Sequence, residues 1–169
     1  GEYDSNLINN IINQDFKILA NTQEMYRSPC EFENKKIGQY NLEQANLEDF
    51  DEINAIWSET LDPILNPLPD KDEFSNKLSS IYKLVDKNEI LACTVVEEKG
   101  NNLLIEHFSS KKELIGKGMG QILINEIFDK YQESKISLWV DLENKRAINF
   151  YEKNGFTTSA KKSIVFMRR

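Results

Sequence analysis

Ile115-Gly116-Lys117-Gly118-Met119-Gly120 is the stretch on which the reading of this chain turns. Three glycines at alternate positions leave a backbone without side-chain bulk, so its N–H groups can converge on something close and negatively charged. Met119, Ile122, Leu123, Ile127 and Tyr131 then recur at helical spacing. A helix leaving the turn adds unpaired amides and the positive end of its dipole. Residues 103–109, before the turn, read as a strand. Strand, glycine turn and helix together form a cradle for a pyrophosphate.

Working outward, residues 135–141 read as a strand, 144–153 as a helix and 157–167 as a closing strand. Upstream, residues 81–85, 90–97 and 103–109 form an antiparallel meander with turns at 86–89 and 99–101. Before it lie helices at 47–58 and 70–78, separated by a loop with Pro63, Pro67 and Pro69, which cannot be regular structure. A short strand is expected at 37–42. The order is antiparallel first, then strand–helix–strand, which requires a parallel crossover. That predicts an α/β fold with a mixed sheet over residues 37–169. Residues 1–36 are expected to be an appendage. In it, Leu7, Ile8, Ile11, Ile12, Phe16 and Leu19 follow Asp4-Ser5 at the spacing of a helix of roughly five turns, and a polar connector follows at 27–36. The stripe is expected to bury itself on its own domain or on a second copy, as a homodimer.

The totals exclude several classes. The chain has 169 residues, 40% of them apolar, and a net charge of −7, which disfavours nucleic acid as a partner. No run approaches the ~20 apolar residues of a membrane span, and no leader pattern opens the chain. Cys30 and Cys93 lie far apart, and His107 is the one histidine. No metal site is expected, and two free thiols fit a reducing cytoplasm.

Three phosphate motifs compete for the glycine turn. A Walker A loop needs Ser or Thr after its Gly-Lys pair, but Gly118 follows Lys117. A dinucleotide fingerprint needs a sixth-position glycine where Gln121 stands, although Asp141 imitates its ribose-binding acid. The third explains more residues. The glycine turn, then Asn144 and Ala147, then Phe150-Tyr151 and Gly155-Phe156, resemble the GNAT superfamily of acetyl-CoA-dependent N-acetyltransferases. That family's loop runs Arg/Gln-x-x-Gly-x-Gly/Ala, and its second signature is Asn-x-x-Ala-x-x-Phe-Tyr-x-x-x-Gly-Phe. The second is matched at every named position; in the first, Ile115 replaces Arg or Gln.

The resemblance implies a GNAT-type fold, acetyl-CoA as co-substrate, and acetyl transfer by direct attack of a primary amine, on a small molecule or a peptide. It implies that backbone groups of Phe108 and Ser110 meet the pantetheine and the thioester. The turn of Ile115, Gly116, Lys117, Gly118, Met119, Gly120 and Gln121 takes the pyrophosphate. Asn144 and Phe150 attend the pantetheine arm, and Tyr151 protonates the departing thiolate. Glu106, expected on the same strand face as Phe108, is the candidate base. His107 is expected on the opposite face, in a structural role, and Cys93 as a small buried hydrophobe. Tyr151 has the plainer alternative of packing on the sheet. Between Leu42 and Glu73 stand ten carboxylates and one base, Lys71, either a solvated face or a field for a cationic acceptor. The runner-up function is a domain of this kind that binds acyl-CoA without turnover.

Overall fold

The computed structural model describes residues 5–33 and 38–168. In chain order the elements are α1 (Ser5–Ile12), β1 (Phe16–Arg27), β2 (Asn41–Gln44), α2 (Phe50–Thr60), α3 (Lys71–Asn76), β3 (Ile81–Asp86), β4 (Glu89–Lys99), β5 (Asn102–Ser110), α4 (Met119–Lys130), β6 (Lys135–Asp141), α5 (Lys145–Lys153) and β7 (Thr157–Arg168). The fold is α/β. It divides into two units, one of residues 29–134 and one that joins residues up to Ser28 with those from Lys135 onward.

In the 29–134 unit, β2, β3, β4 and β5 pair antiparallel in that order. Lys87 (φ 48°) and Asn88 (φ 71°) turn β3 into β4; left-handed residues at both central positions match the twist of a tight hairpin. On one face Ile53, Ile56 and Trp57 of α2 and Phe74 of α3 pack with Ile81, Ile90, Cys93 and Val95. On the other, Met119, Ile122 and Leu123 of α4 pack with Leu84, Leu91 and Ala92. Burial on both faces is why β4 is apolar from Ile90 to Val96 save Thr94, instead of alternating. Trp57 and Phe74 are fully buried, each contributing roughly 1.5–3 kcal/mol through removal from water. The strand expected at 37–42 is β2, which starts four residues later, at Asn41, and ends at Gln44; Ile37 lies outside the described residues.

The other unit corrects the N-terminal expectation. Instead of one long helix, α1 stops at Ile12, Asp15 takes φ 62°, and Phe16 begins a twelve-residue strand. β1 lies between β6 and β7, antiparallel to both, with Met25 opposite Leu138 and Phe16 opposite Arg168. Its inward face carries Gln23, Met25 and Arg27, all buried, opposite Val140, Leu138 and Ile136. A glutamine can lie there because its Nε2 donates to the carbonyls of Ser159 and Lys161 on β7. Phe16 and Leu19 belong to this strand. Their helical spacing behind Ile12 is coincidental.

Candidate active site

Strand β5 carries the first part of the site, and a bulge shapes it. Cys93 pairs with Ser109 and Val95 with Glu106, so one residue of β4, Thr94, faces two of β5, His107 and Phe108. His107 has φ 49°, a left-handed conformation that a non-glycine adopts only when its surroundings impose it. Thr94 Oγ1 donates to Glu106 O at 3.0 Å and steadies the kink. The bulge overturns the expected alternation. Glu106 lies opposite Val95, on the α2 and α3 side, with its carboxylate 3.8 Å from Lys77 Nζ. His107 turns to the same side, 4.9 Å from the Trp57 ring, with Nε2 3.0 Å from Pro67 O. Phe108 packs on the α4 side. Glu106 and Phe108 therefore do not share a face. Ser110 pairs with Ala92 and is half-buried.

The glycine turn keeps its expected form. Gly116 has φ 81° and Gly118 φ 91°, and beyond the adjoining residues no heavy atom lies within 4 Å of a Cβ built at either. Glycine is required there by backbone conformation and not by crowding. The first intrahelical bond of α4 runs from Ile122 N to Gly118 O at 3.1 Å. The amides of Gly118, Met119 and Gly120 therefore precede the helical ladder. No side chain caps this end, and its first turn holds no acidic residue. Lys117 N is bonded to Leu114 O at 3.0 Å, so only its exposed ammonium remains for a ligand. Gln121 Nε2 donates along the helix to Asn125 Oδ1 at 2.9 Å. Ile115 is 39% exposed.

Helix α5 presents the second signature, and most of it has a folding explanation. Asn144 is the N-cap, its Oδ1 accepting from Ala147 N at 3.0 Å. At the other end Gly155 takes φ 81°, with Gly155 N bonded to Glu152 O and Phe156 N to Tyr151 O, each at 3.0 Å. These two bonds are a Schellman stop, and the contact of Phe156 with Tyr151, ring centroids 5.5 Å apart, is the apolar contact that accompanies one. Phe150 meets Tyr151 edge-on at 5.3 Å. Tyr151 is only 9% exposed, and burial pushes its phenol above the ordinary tyrosine range.

The sequence model of the acetyltransferase (GNAT) family matches residues 30–156. The chain belongs to that family. Solved structures share its fold at low identity. A functionally unknown conserved protein from Staphylococcus epidermidis superposes with TM-score 0.75 and 14% identity, over 100% of this chain and 69% of that one. A GCN5-related N-acetyltransferase from Sphaerobacter thermophilus gives TM-score 0.69 and 14% identity, over 96% of this chain and 56% of that one. The N-acetylglutamate synthase of Neisseria gonorrhoeae, solved with coenzyme A and N-acetyl-glutamate, gives 0.59 and 15%, over 74% of this chain and 30% of that one. At these identities the likeness is one of fold. No curated protein sequence matches the chain.

Elsewhere in this GNAT chain, much of the acidic run has structural work. Asp49 and Glu43 hold the buried Lys83 at 2.8 and 3.8 Å, and Glu52 holds Lys111 at 3.1 Å. Asp62 accepts from the amides of Ile64 and Leu65, while Asp70 and Glu73 form the capping box of α3. Cys93 is fully buried, and burial pushes its thiol up, which suits an inert core residue. Among the described residues no helix is long and apolar enough to cross a membrane. Sequence reasoning passed over Asn54 and Trp57, whose side chains carry buried polar atoms without a protein partner, as His107 does. Trp57 follows Phe50 and Ile53 at helical spacing, an apolar pattern that hides its one donor.

Proposed function

We propose that this chain is an N-acetyltransferase that moves the acetyl group of acetyl-CoA directly onto a primary amine. The turn before α4 carries the reading, with its exposed left-handed glycines, open space and uncapped amides. Anionic phosphate oxygens suit such a donor set. In this reading the amides of Gly116, Gly118, Met119 and Gly120 hold the pyrophosphate, with the Lys117 ammonium beside them. Backbone groups of Phe108 and Ser110 hold the pantetheine arm. Asn144 offers that arm its Nδ2, since Oδ1 caps the helix, and Phe150 offers an apolar ring.

Acetyl-CoA would supply an activated acyl carbon and a thiol leaving group. A β5 amide then donates to the carbonyl oxygen as negative charge gathers there. As the C–N bond forms and the C–S bond breaks, the sulfur departs as a thiolate, to which Tyr151 donates a hydrogen bond. A phenol is a weaker acid than a thiol, and burial weakens this one further, so its contribution is chiefly that hydrogen bond. Glu106, half-exposed on β5, takes the proton of the incoming amine.

A thermal-shift titration tests the reading. Acetyl-CoA should raise the melting temperature, while NAD and ATP should not; no response to acetyl-CoA would sink it. Thiol release over a panel of primary amines then reports turnover. One observation favours a second reading, a domain that binds acyl-CoA without turnover: the caps of α5 account for most of the Asn144–Phe156 signature without any chemistry. Stabilisation without thiol release for any amine would select it.

A further inference from the structure

Three side chains of the 29–134 unit leave polar atoms buried with no protein partner: Asn54 Oδ1, Trp57 Nε1 and His107 Nδ1. They occur together. Asn54 and Trp57 are one helical turn apart on α2, and the Trp57 and His107 rings lie 4.9 Å apart. The same loop holds two of them from above. Asn54 Nδ2 donates to Pro69 O at 3.2 Å, and His107 Nε2 lies 3.0 Å from Pro67 O. Trp57 is fully buried. A buried polar atom left unmatched costs roughly 1–3 kcal/mol, so three in one neighbourhood is not what packing alone would produce.

The two carbonyls fix what the free atoms can do. A carbonyl only accepts, so Asn54 presents its oxygen, and His107 carries a hydrogen on Nε2, an arrangement that in the neutral ring leaves the Nδ1 lone pair free to accept. Trp57 can only donate. We propose that Asn54, Trp57 and His107 form a recognition site for one nitrogen or oxygen that gives two hydrogen bonds and receives one. Two guests have that chemistry, an internal water and the uncharged –NH2 of a primary amine. An ammonium does not, because it has no lone pair for the indole hydrogen. The amine assignment rests on the acetyl-transfer reading and deepens it, since such a site admits the acceptor in its neutral form; the nitrogen must then give up the indole hydrogen so that its one lone pair can attack. The water assignment does not depend on that reading.

High-resolution crystal structures of the full chain decide between the sources. Crystals grown without amine should show a peak within hydrogen-bond distance of all three atoms if the guest is water. Soaking with methoxyamine, which is uncharged at neutral pH, should add an atom to that peak if the site takes amines; soaking with methylammonium chloride should leave it unchanged. An empty site in both free and methoxyamine-soaked crystals would overturn the proposal. So would methylammonium binding as readily as methoxyamine. In solution, Trp57→Phe keeps a ring and removes the donor, and should weaken methoxyamine binding about tenfold. If turnover is found, the same variant should raise KM for methoxyamine and leave KM for acetyl-CoA unchanged. The maps of the unaltered chain decide even if Trp57→Phe folds poorly or acetyl-CoA does not bind.

Discussion

Gly155 and Gly118 have nearly the same backbone, φ 81° and 91°, yet they do opposite things. Gly155 ends α5. Its amide and the next one return to the carbonyls of Glu152 and Tyr151, and a Cβ built there would come within 3.7 Å of Arg27 Nε. Gly118 begins α4 in open space, with no capping side chain on its helix end. In the first case the fold consumes the hydrogen bonds that the glycine makes available; in the second the first amides of the helix stay outside its ladder and no side chain caps them. A left-handed glycine is evidence for a ligand only where the chain does not use what the turn exposes.

The largest effect is expected at Tyr151, which stands inside the helix that folding explains. Tyr151→Phe should lower kcat roughly 10²-fold while leaving acetyl-CoA affinity and melting temperature near those of the parent. Unchanged turnover would make Tyr151 a packing residue and extend the folding explanation to the whole of α5. Next comes the pair of glycines themselves. Alanine at either position forces a left-handed residue, at about 1–2 kcal/mol. Gly118→Ala should in addition raise the acetyl-CoA dissociation constant about tenfold, a factor worth about 1.4 kcal/mol. Gly155→Ala should leave that constant alone. Equal effects on affinity, read by calorimetry, would erase the distinction between the two turns.

A smaller effect should follow at Asn144. Asn144→Ala should cost about 1 kcal/mol of stability by removing the cap, and Asn144→Ser should restore most of it. If the serine variant binds acetyl-CoA as the parent does, Asn144 serves the helix and not the ligand. The smallest effect belongs to the acidic run. Glu59→Lys should raise KM for a polycationic acceptor modestly at low salt and lose that effect as salt shrinks the screening length to ~8 Å. No change at low salt would leave the run as solvated surface.

Much of this was legible in the sequence because it is local. The apolar run from Ile90 to Val96, the hairpin at Lys87-Asn88, the glycine turn and the two ends of α5 are each specified by residues within a few positions of one another. What was not legible depends on partners far along the chain. β1 is polar through Asn21, Thr22, Gln23 and Glu24, and only its place between β6 and β7 explains why Gln23 and Arg27 face inward. The bulge at His107 is a matter of register against Thr94, which no periodicity in β5 announces. With it went the expectation that Glu106 and Phe108 share a face. The grouping of Asn54, Trp57 and His107 needed α2, β5 and the Leu61–Pro69 loop brought together.

The position of β1 also sets an order of manufacture. Tyr26 meets Thr157, 131 residues later, so a ribosome releases this strand long before it makes either of the strands that flank it. At 5–20 residues per second that wait is on the order of 10 s. Throughout it, Phe16–Arg27 is a nascent segment with both hydrogen-bonding edges open, the condition in which strands find wrong neighbours. The 29–134 unit has no such delay, since its hairpins close as they emerge. In a cell, this strand is made well before the two that shelter it, and the chaperones that meet this protein would meet it there.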